Sequence, residues 1–331
     1  MLRFLAKRLI GLVATILGMT MIIFVLQDIV PSDPGRAAVG PNAPESVVLM
    51  KREELGLNEP LPVRYGRYLA RLAHADLGES VQTRNPVASD LRRFAPATAE
   101  LMVFALCLGG ALGGILGISS IIMRRSGSIR LLFLAAGSVP IFLTALLLSL
   151  LFWFELGWLP FGGRASVRPL PDGPTGFLTL DGAIAGRADV VASAIVHMIL
   201  PALCLALPIA VAVGRSLQAS LLMVMRQNYI RTAFAQGLPR WQVVGRHALR
   251  NALNAPLSMI ALQFGLLFAN VLIVEQIFAW PGLGLYTVQA FANTDLPAVL
   301  GVALTFGTVY VLVNVVVDLL QAVADPRIAL N

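Results

Sequence analysis

Six long apolar segments alternate along the chain with stretches rich in charged residues, glycine and proline. They cover approximately residues 9–26, 101–123, 131–154, 191–214, 255–274 and 298–317. Each is about 18 to 24 residues long, which is enough for an α-helix to cross the hydrocarbon core of a bilayer. None shows the polar face, repeated every three or four residues, that is typical of a soluble amphipathic helix. The pattern predicts an all-α polytopic membrane protein with six transmembrane helices.

The composition supports this class. Hydrophobic residues make up 57% of the 331 residues and charged residues 13%, and the mean hydropathy of +0.78 lies outside the usual soluble range. The net charge of +7 is interpreted as membrane topology rather than nucleic-acid binding, because no basic stripe is interleaved with exposed aromatic residues. The two cysteines, Cys107 and Cys204, fall within predicted spans and are interpreted as small core residues.

The basic residues predict the orientation. Arg3, Lys7 and Arg8 precede the first span, and further arginines lie in the segments after the second, fourth and sixth spans. Short cytoplasmic segments are rich in Lys and Arg, so both termini are predicted to be cytoplasmic. The first span ends at Gln27 and Asp28 rather than at a small-residue cleavage site, which favours a retained anchor over a signal peptide.

This topology divides the chain into residues 1–30 (N-terminus and first span), residues 31–96 (an outer segment) and residues 97–331 (the remaining five spans). The third part contains an outer loop at residues 155–192 and a cytoplasmic loop at residues 215–252.

The outer segments differ in character. The segment 31–96 is too long for a simple connection and predicts a small helical subdomain, with helices near 45–55 and 62–73 separated by a stop at Gly56. Four apolar or aromatic residues share one face of the second helix: Tyr65, Tyr68, Leu69 and Leu72. The segment 155–192, rich in Gly and Pro, predicts an extended loop over the mouth of a pathway.

The cytoplasmic loop contains a basic helical hairpin, RQNYIRTAFAQGLPRWQVVGRHALR, from Arg226 to Arg250, with five arginines and no acidic residue. Gly237 can end the first helix and Pro239 suits the first turn of the next. In the second helix, Trp241, Val244 and Ala248 are predicted to form an apolar face. A helical platform of this kind favours docking of a cytosolic partner, and the alternative is a hairpin lying on anionic lipid headgroups.

The spans themselves favour transport over chemistry. The second span carries small-xxx-small pairs that allow close helix approach, at Gly109, Gly110, Gly113, Gly114 and Gly117. Gln263 and Asn270, seven residues apart in the fifth span, are candidates to line a path for a polar solute. Hydrogen bonding between helices is the alternative for each.

Motifs for ATP binding or catalysis are missing from the sequence. Lys7 and Lys51 are the only lysines, and each is followed by Arg, so no Walker A loop is present. The three histidines lie in three different regions, which argues against a histidine metal site. No catalytic, cofactor-binding or metal-ligating residue is therefore predicted, and an energised transporter would need its energy from another subunit.

Four blocks of sequence resemble the permease subunits of dipeptide and oligopeptide ABC importers, specifically the first permease of the pair. The blocks are FLAKRLIGLV with VPSDPGRAAVG, REELGLNEPLPVRYGRYL and ADLGESVQTRNPV; then PTGF with HMILPALCLALP; then NYIRTAFAQGLPRWQVVGRHALRNAL; and last VEQIFAWPGLG with VNVVVDLLQAVADPRI. The third block resembles the cytoplasmic "EAA" coupling loop of that family. Together the blocks span nearly the whole chain.

The resemblance implies a type I ABC importer fold in a bacterial inner membrane. It implies a homologous second permease, two cytoplasmic ATPases that bind ATP and Mg, and a periplasmic substrate-binding protein. Within the coupling loop, five residues match the RTAxAxG core: Arg231, Thr232, Ala233, Ala235 and Gly237. Phe234 and Gln236 depart from it, since the family places basic residues there. Ala233 to Gly237 are expected to insert into the ATPase.

The resemblance leaves the substrate open. The family layout serves dipeptides and longer peptides, but also glutathione, nickel chelates, opines and sugars. The PTGF segment beginning at Pro174 looks most like the dipeptide branch. A secondary transporter or channel is the rival class, and it would favour inverted repeats or intramembrane ionisable residues.

Overall fold

The computed structural model describes residues 2–29, 34–40, 42–54, 56–122, 131, 135, 137, 139–171 and 173–324. No β-strand occurs in this part of the chain, and an isolated bridge joins Glu79 and Pro86. The helices in chain order are α1 (Leu2–Ile29), α2 (Pro34–Val39), α3 (Glu45–Glu54), α4 (Leu61–Ala73), α5 (Val87–Ile122), α6 (Ile141–Glu155), α7 (Leu178–Ile184), α8 (Ala188–Val224), α9 (Asn228–Ala235), α10 (Arg240–Gln242, Val243–Ala248 and Leu249–Ala252), α11 (Asn254–Ile277), α12 (Leu283–Ala292) and α13 (Leu296–Ala324).

Four helices in the described residues are long and apolar enough to cross a membrane. They are α5, α8, α11 and residues Leu296–Val316 of α13. These contain the second, fourth, fifth and sixth predicted spans. The first predicted span lies within α1, whose described apolar stretch is Ile10–Ile22. The third predicted span, residues 131–154, is described only in part before residue 139 and ends in α6, which turns π-helical over Ser149–Glu155.

The chain forms two compact units, Met1–Ala95 with Leu285–Val311, and Pro96–Gly284 with Leu312–Asn331. In the first unit, α4 packs the face that carries Tyr65 and Tyr68 against α1 and α13. Tyr68 is 7% exposed and clusters with Phe24 of α1 and Leu300 of α13. The cluster is completed by the partly buried residues Leu61, Tyr65, Leu69 and Leu72. Gly56, with φ +64°, lies two residues beyond the end of α3, so the predicted helix stop is confirmed.

The second unit is built on a close helix pair, α5 and α8. A Cβ atom added to Gly109, Gly113 or Gly117 would lie 2.8, 2.9 and 2.8 Å from an α8 side chain. The facing residues on α8 repeat the same spacing of four: Ile209, Val213 and Leu217. Gly110 and Gly114 have nothing within 4 Å. One of the two overlapping glycine stripes therefore forms the helix contact.

The two cysteines lie in this unit. Cys204 is buried in α8, as expected for a small core residue, whereas Cys107 is exposed on α5. The interpretation of Cys107 as a core residue is wrong, because periodicity alone does not distinguish a lipid-facing position from a buried one in a helix that is apolar all round.

Candidate functional site: the basic hairpin and two buried polar clusters

The hairpin after α8 has the turn that the sequence predicts. Helix α9 ends at Ala235, and Gly237 follows with φ +79°, a left-handed conformation that favours glycine. The backbone N–H of Gly237 donates to Phe234 O at 2.9 Å, and that of Leu238 to Ala233 O at 3.4 Å. Pro239 then precedes α10. A Cβ atom on Gly237 would meet nothing within 4 Å, so the requirement for glycine is conformational and not steric.

The hairpin has a hydrophobic core of its own that joins it to two membrane-length helices. Ile121 at the end of α5 and Leu217 and Leu221 of α8 form one side. The hairpin supplies the buried residues Ile230, Ala233, Val243, Val244 and Ala248, and Ala252 at the end of α10 completes the cluster. Each large aliphatic side chain in such a cluster contributes about 1.5–3 kcal/mol when fully buried. The hairpin is thus packed on the ends of α5 and α8, and displacement of the hairpin would be transmitted to them.

The outer surface of the hairpin is basic and partly apolar. All five of its arginines are exposed, and no acidic residue occurs between Asp189 and Glu275. Phe234 is 41% exposed. The other exposed residues of the predicted coupling segment are Arg231, Thr232, Ala235, Gln236 and Gly237. Ala233 differs from them, because it is 5% exposed and belongs to the hairpin core.

The predicted apolar face of α10 requires a correction. Val244 and Ala248 are buried as expected, but Trp241 is 61% exposed and Val243 is buried in its place. The cause is a π-helical turn over Val243–Ala248. A π turn bonds residue i to i+5 and interrupts the 3.6-residue repeat on which the prediction depended.

The candidate path residues both lie in α11, the helix that contains the fifth predicted span. Gln263 and Asn270 are both half-buried in α11, and their spacing of seven places them on one side of the helix. Their role stays a prediction.

A first buried polar cluster surrounds Glu275 near the end of α11. The Glu275 side chain is fully buried, and its Oε1 accepts a hydrogen bond of 2.6 Å from Thr98 of α5. The same hydroxyl accepts the N–H of Leu283 at 2.7 Å. A Cβ atom on Gly282 would lie 2.3 Å from Glu275 Oε1, and one on Gly284 would lie 2.9 Å from its Oε2. The glycines of the sequence PGLG therefore provide the space for this carboxylate.

A second buried polar cluster surrounds Glu100 of α5. Arg164 donates from Nη2 to Glu100 Oε2 at 2.5 Å and to Gly176 O at 3.0 Å. The N–H and hydroxyl of Thr179 donate to Glu100 Oε1 at 2.8 and 2.6 Å. The guanidinium of Arg164 lies 5.9 Å from the ring centroid of Trp280. This cluster was not predicted, and its only sequence signal is an acidic residue at the start of an apolar segment.

The PTGF segment contributes to the second cluster. Thr175 bonds through both its N–H and its hydroxyl to Asp181 Oδ1, at 3.1 and 2.7 Å. Gly176, with φ +71°, supplies the carbonyl that Arg164 contacts. Earlier in the loop, Ser166 contacts His197 of α8 at 2.9 Å. These contacts attach the loop 156–177 to α7 and α8.

Comparison with known proteins identifies the family. The chain matches the family of binding-protein-dependent transport system inner membrane components over residues 101–330, and the N-terminal part of such membrane components over residues 1–102. The chain belongs to this family. It is therefore a multi-pass inner-membrane transport component, and the resemblance stated from its sequence is confirmed.

Several relatives are similar along their whole length. The probable D,D-dipeptide transport system permease protein of Escherichia coli (strain K12) is 40% identical, covering 98% of this chain and 96% of the relative. The dipeptide transport system permease protein of Alkalihalophilus pseudofirmus is 37% identical, covering 99% of each chain. The glutathione transport system permease protein of Salmonella paratyphi A is 33% identical, also covering 99% of each. These relatives are transport permeases and not enzymes.

Proposed function

We propose that this inner-membrane component is one of two homologous permease subunits of an ABC importer for short peptides. It has six transmembrane helices, both termini in the cytoplasm, a periplasmic helical subdomain at residues 31–96 and a permease core at residues 97–331. Two cytoplasmic ATPases bind and hydrolyse ATP, and a periplasmic binding protein delivers the substrate. The chain itself binds no cofactor.

The observation that carries this proposal is the exposed, acid-free hairpin packed on α5 and α8. Its arginines present positive charge to a partner surface, and its buried core links that surface to two membrane-length helices. Phe234 to Gly237 contact the ATPase, together with Arg231 and Thr232, while Ala233 supports them from inside the hairpin. Movement of the docked ATPase then moves the ends of α5 and α8.

Short peptides are the substrate class that the relatives favour. Two of the relatives above are dipeptide permeases and the third is a glutathione permease, and glutathione is itself a tripeptide. Gln263 and Asn270 line the path, where neutral amides can hydrogen-bond a zwitterionic peptide without placing a charge in the membrane.

The test is ATPase activity of the complex of this permease, its partner permease and the two ATPases, reconstituted in lipid. Gly237→Val is expected to abolish stimulation by the loaded binding protein, since a β-branched residue strongly disfavours φ +79°. Gly245→Ala is the matched control, because Gly245 lies in the same hairpin without a positive φ and with nothing within 4 Å of an added Cβ atom. Full stimulation of the Gly237→Val complex would exclude the coupling role.

A further inference from the structure

Residues 97–100 of α5 hold two other segments of the second unit through contacts that the proposed coupling does not use. Glu100 accepts the Arg164 guanidinium from the loop 156–177. Trp280, which is 1% exposed, donates its indole N–H to Ala97 O at 3.0 Å and lies against Arg164. The loop also contacts the segment around Trp280 directly, since Gly163 N–H donates to Phe278 O at 3.1 Å.

The Glu100–Arg164 pair is more buried than four other ion pairs of the described residues. Its side chains are 6% and 16% exposed, whereas those of the four other pairs are 32–68% exposed. The Arg164 Nε atom is buried and has no hydrogen-bond partner among the described residues. A buried ion pair with an unsatisfied N–H contributes little to the stability of a fold, because apolar residues of similar volume often stabilise such a site at least as well. The incomplete pairing favours a contact that is broken during the working cycle.

The backbone around the pair is suited to such a release. Gly162 and Gly163, with φ +78° and +71°, immediately precede Arg164, and Gly176 has φ +71°. Between Leu156 and Phe177 the described residues form no helix, so the loop moves without unwinding regular structure. Ala279, next to Trp280, has φ +45°, a strained conformation for a residue with a Cβ atom. Glycine pivots and local strain both lower the barrier to a second conformation.

We propose that Glu100, Arg164 and Trp280 form a releasable clasp that holds the loop 156–177 against residues 97–100 of α5 in the resting transporter. This rests on the proposed function, in which the loop lies on the periplasmic side. Docking of the loaded binding protein releases the clasp, and α5 then moves with the hairpin packed on its other end. Arg164 and Glu100 are positioning residues that restrain ATP turnover until substrate arrives.

The experiment compares basal and stimulated ATPase rates of the complete reconstituted transporter. Arg164→Gln removes the charge and weakens the clasp. Because a charge-assisted hydrogen bond is worth about a factor of ten in an equilibrium constant, the basal rate without binding protein is expected to rise about tenfold. The ratio of stimulated to basal rate, measured with binding protein loaded with a dipeptide mixture, should fall accordingly. Arg187→Gln is the matched control, because it removes the same charge from an exposed pair with Asp189 in the same unit.

Three results would overturn the clasp. The first is an Arg164→Gln complex in which the basal and stimulated rates fall together, and the second is one in which neither rate changes. Glu100→Gln provides the same readout if Arg164→Gln does not assemble. The third result is failure of both variants to assemble, which would show that the cluster is a purely structural contact. Failure of the proposed function is distinguishable, because the wild-type complex would then show no stimulation at all.

Discussion

The close contact between α5 and α8 gives a sharp test of the fold. Gly113→Ala adds a Cβ atom that would lie 2.9 Å from Ala210 O and 2.9 Å from Val213 Cβ, and the backbone oxygen cannot rotate away. Gly114→Ala, one residue along the same helix, adds a Cβ atom with nothing within 4 Å. Both variants gain about 1 kcal/mol in helix propensity, so this contribution cancels between them. The remaining difference is the overpacking penalty, which is about 1–3 kcal/mol.

The assay is thermal unfolding in detergent, followed with a thiol-reactive dye. Cys204 is buried in α8 and is exposed only when the second unit opens, so it reports unfolding directly. Cys107 is exposed and is replaced by Ser in all variants. Gly113→Ala is expected to melt several degrees below the Gly114→Ala control. Equal melting temperatures for the two variants would refute the close approach of α5 and α8.

Three further predictions test other contacts. Tyr65→Phe should lower the melting temperature, because the Tyr65 hydroxyl contacts Thr20 at 3.0 Å and donates to Leu17 O at 3.1 Å. Tyr68→Phe should leave the melting temperature unchanged or raise it, because it removes a buried hydroxyl without a partner among the described residues. Burial raises the pKa of Tyr68 from 10.0 to about 12, so between these pH values the unfolded state loses the phenol proton before the folded state does. The free energy of unfolding of the wild type should therefore fall relative to that of Tyr68→Phe over this range, and the difference between the two should be constant below pH 10.0. Gly284→Ala should reduce the yield of folded protein on size-exclusion chromatography, because its Cβ atom would lie 2.8 Å from Leu272 Cα and 2.9 Å from Glu275 Oε2, whereas Gly245→Ala should not.

Much of the hairpin could be predicted from sequence because its signals are local. Gly237 and Pro239 specify a turn between two helices through their own backbone preferences, and the structure has that turn. The exposed position of Trp241 could not be predicted, since the π-helical turn beside it arises where Val243 and Val244 both enter the core. The burial of Ala233 in α9 could not be predicted either, since it depends on the packing of the hairpin against α5 and α8. A local helical repeat carries no information on which side of the hairpin meets α5 and α8.

The glycines of α5 show a related limit of prediction from sequence. Gly109, Gly113 and Gly117 have the same spacing of four as Gly110 and Gly114, and both sets predict close packing equally well. The facing helix decides between them, and that helix begins about 80 residues later in the chain. The Glu100–Arg164 pair is harder still to predict from sequence, because the two residues are 64 positions apart and neither lies in a motif that specifies the other.

The position of the buried acids connects stability with movement. Two of these acids lie at helix N-termini, Asp90 in the first turn of α5 and Asp295 immediately before α13, and both accept hydrogen bonds from neutral donors. Glu275 also accepts a hydrogen bond from a neutral donor, the hydroxyl of Thr98. Fixed dipoles of this kind stabilise a carboxylate without requiring a mobile side chain. Glu100 is paired instead with Arg164, and that arginine comes from a glycine-flanked loop. The chain therefore keeps its apolar segments for close packing and places this buried charge pair at the start of an apolar segment, where, on the proposed topology, breaking the pair would expose charge to water rather than to lipid.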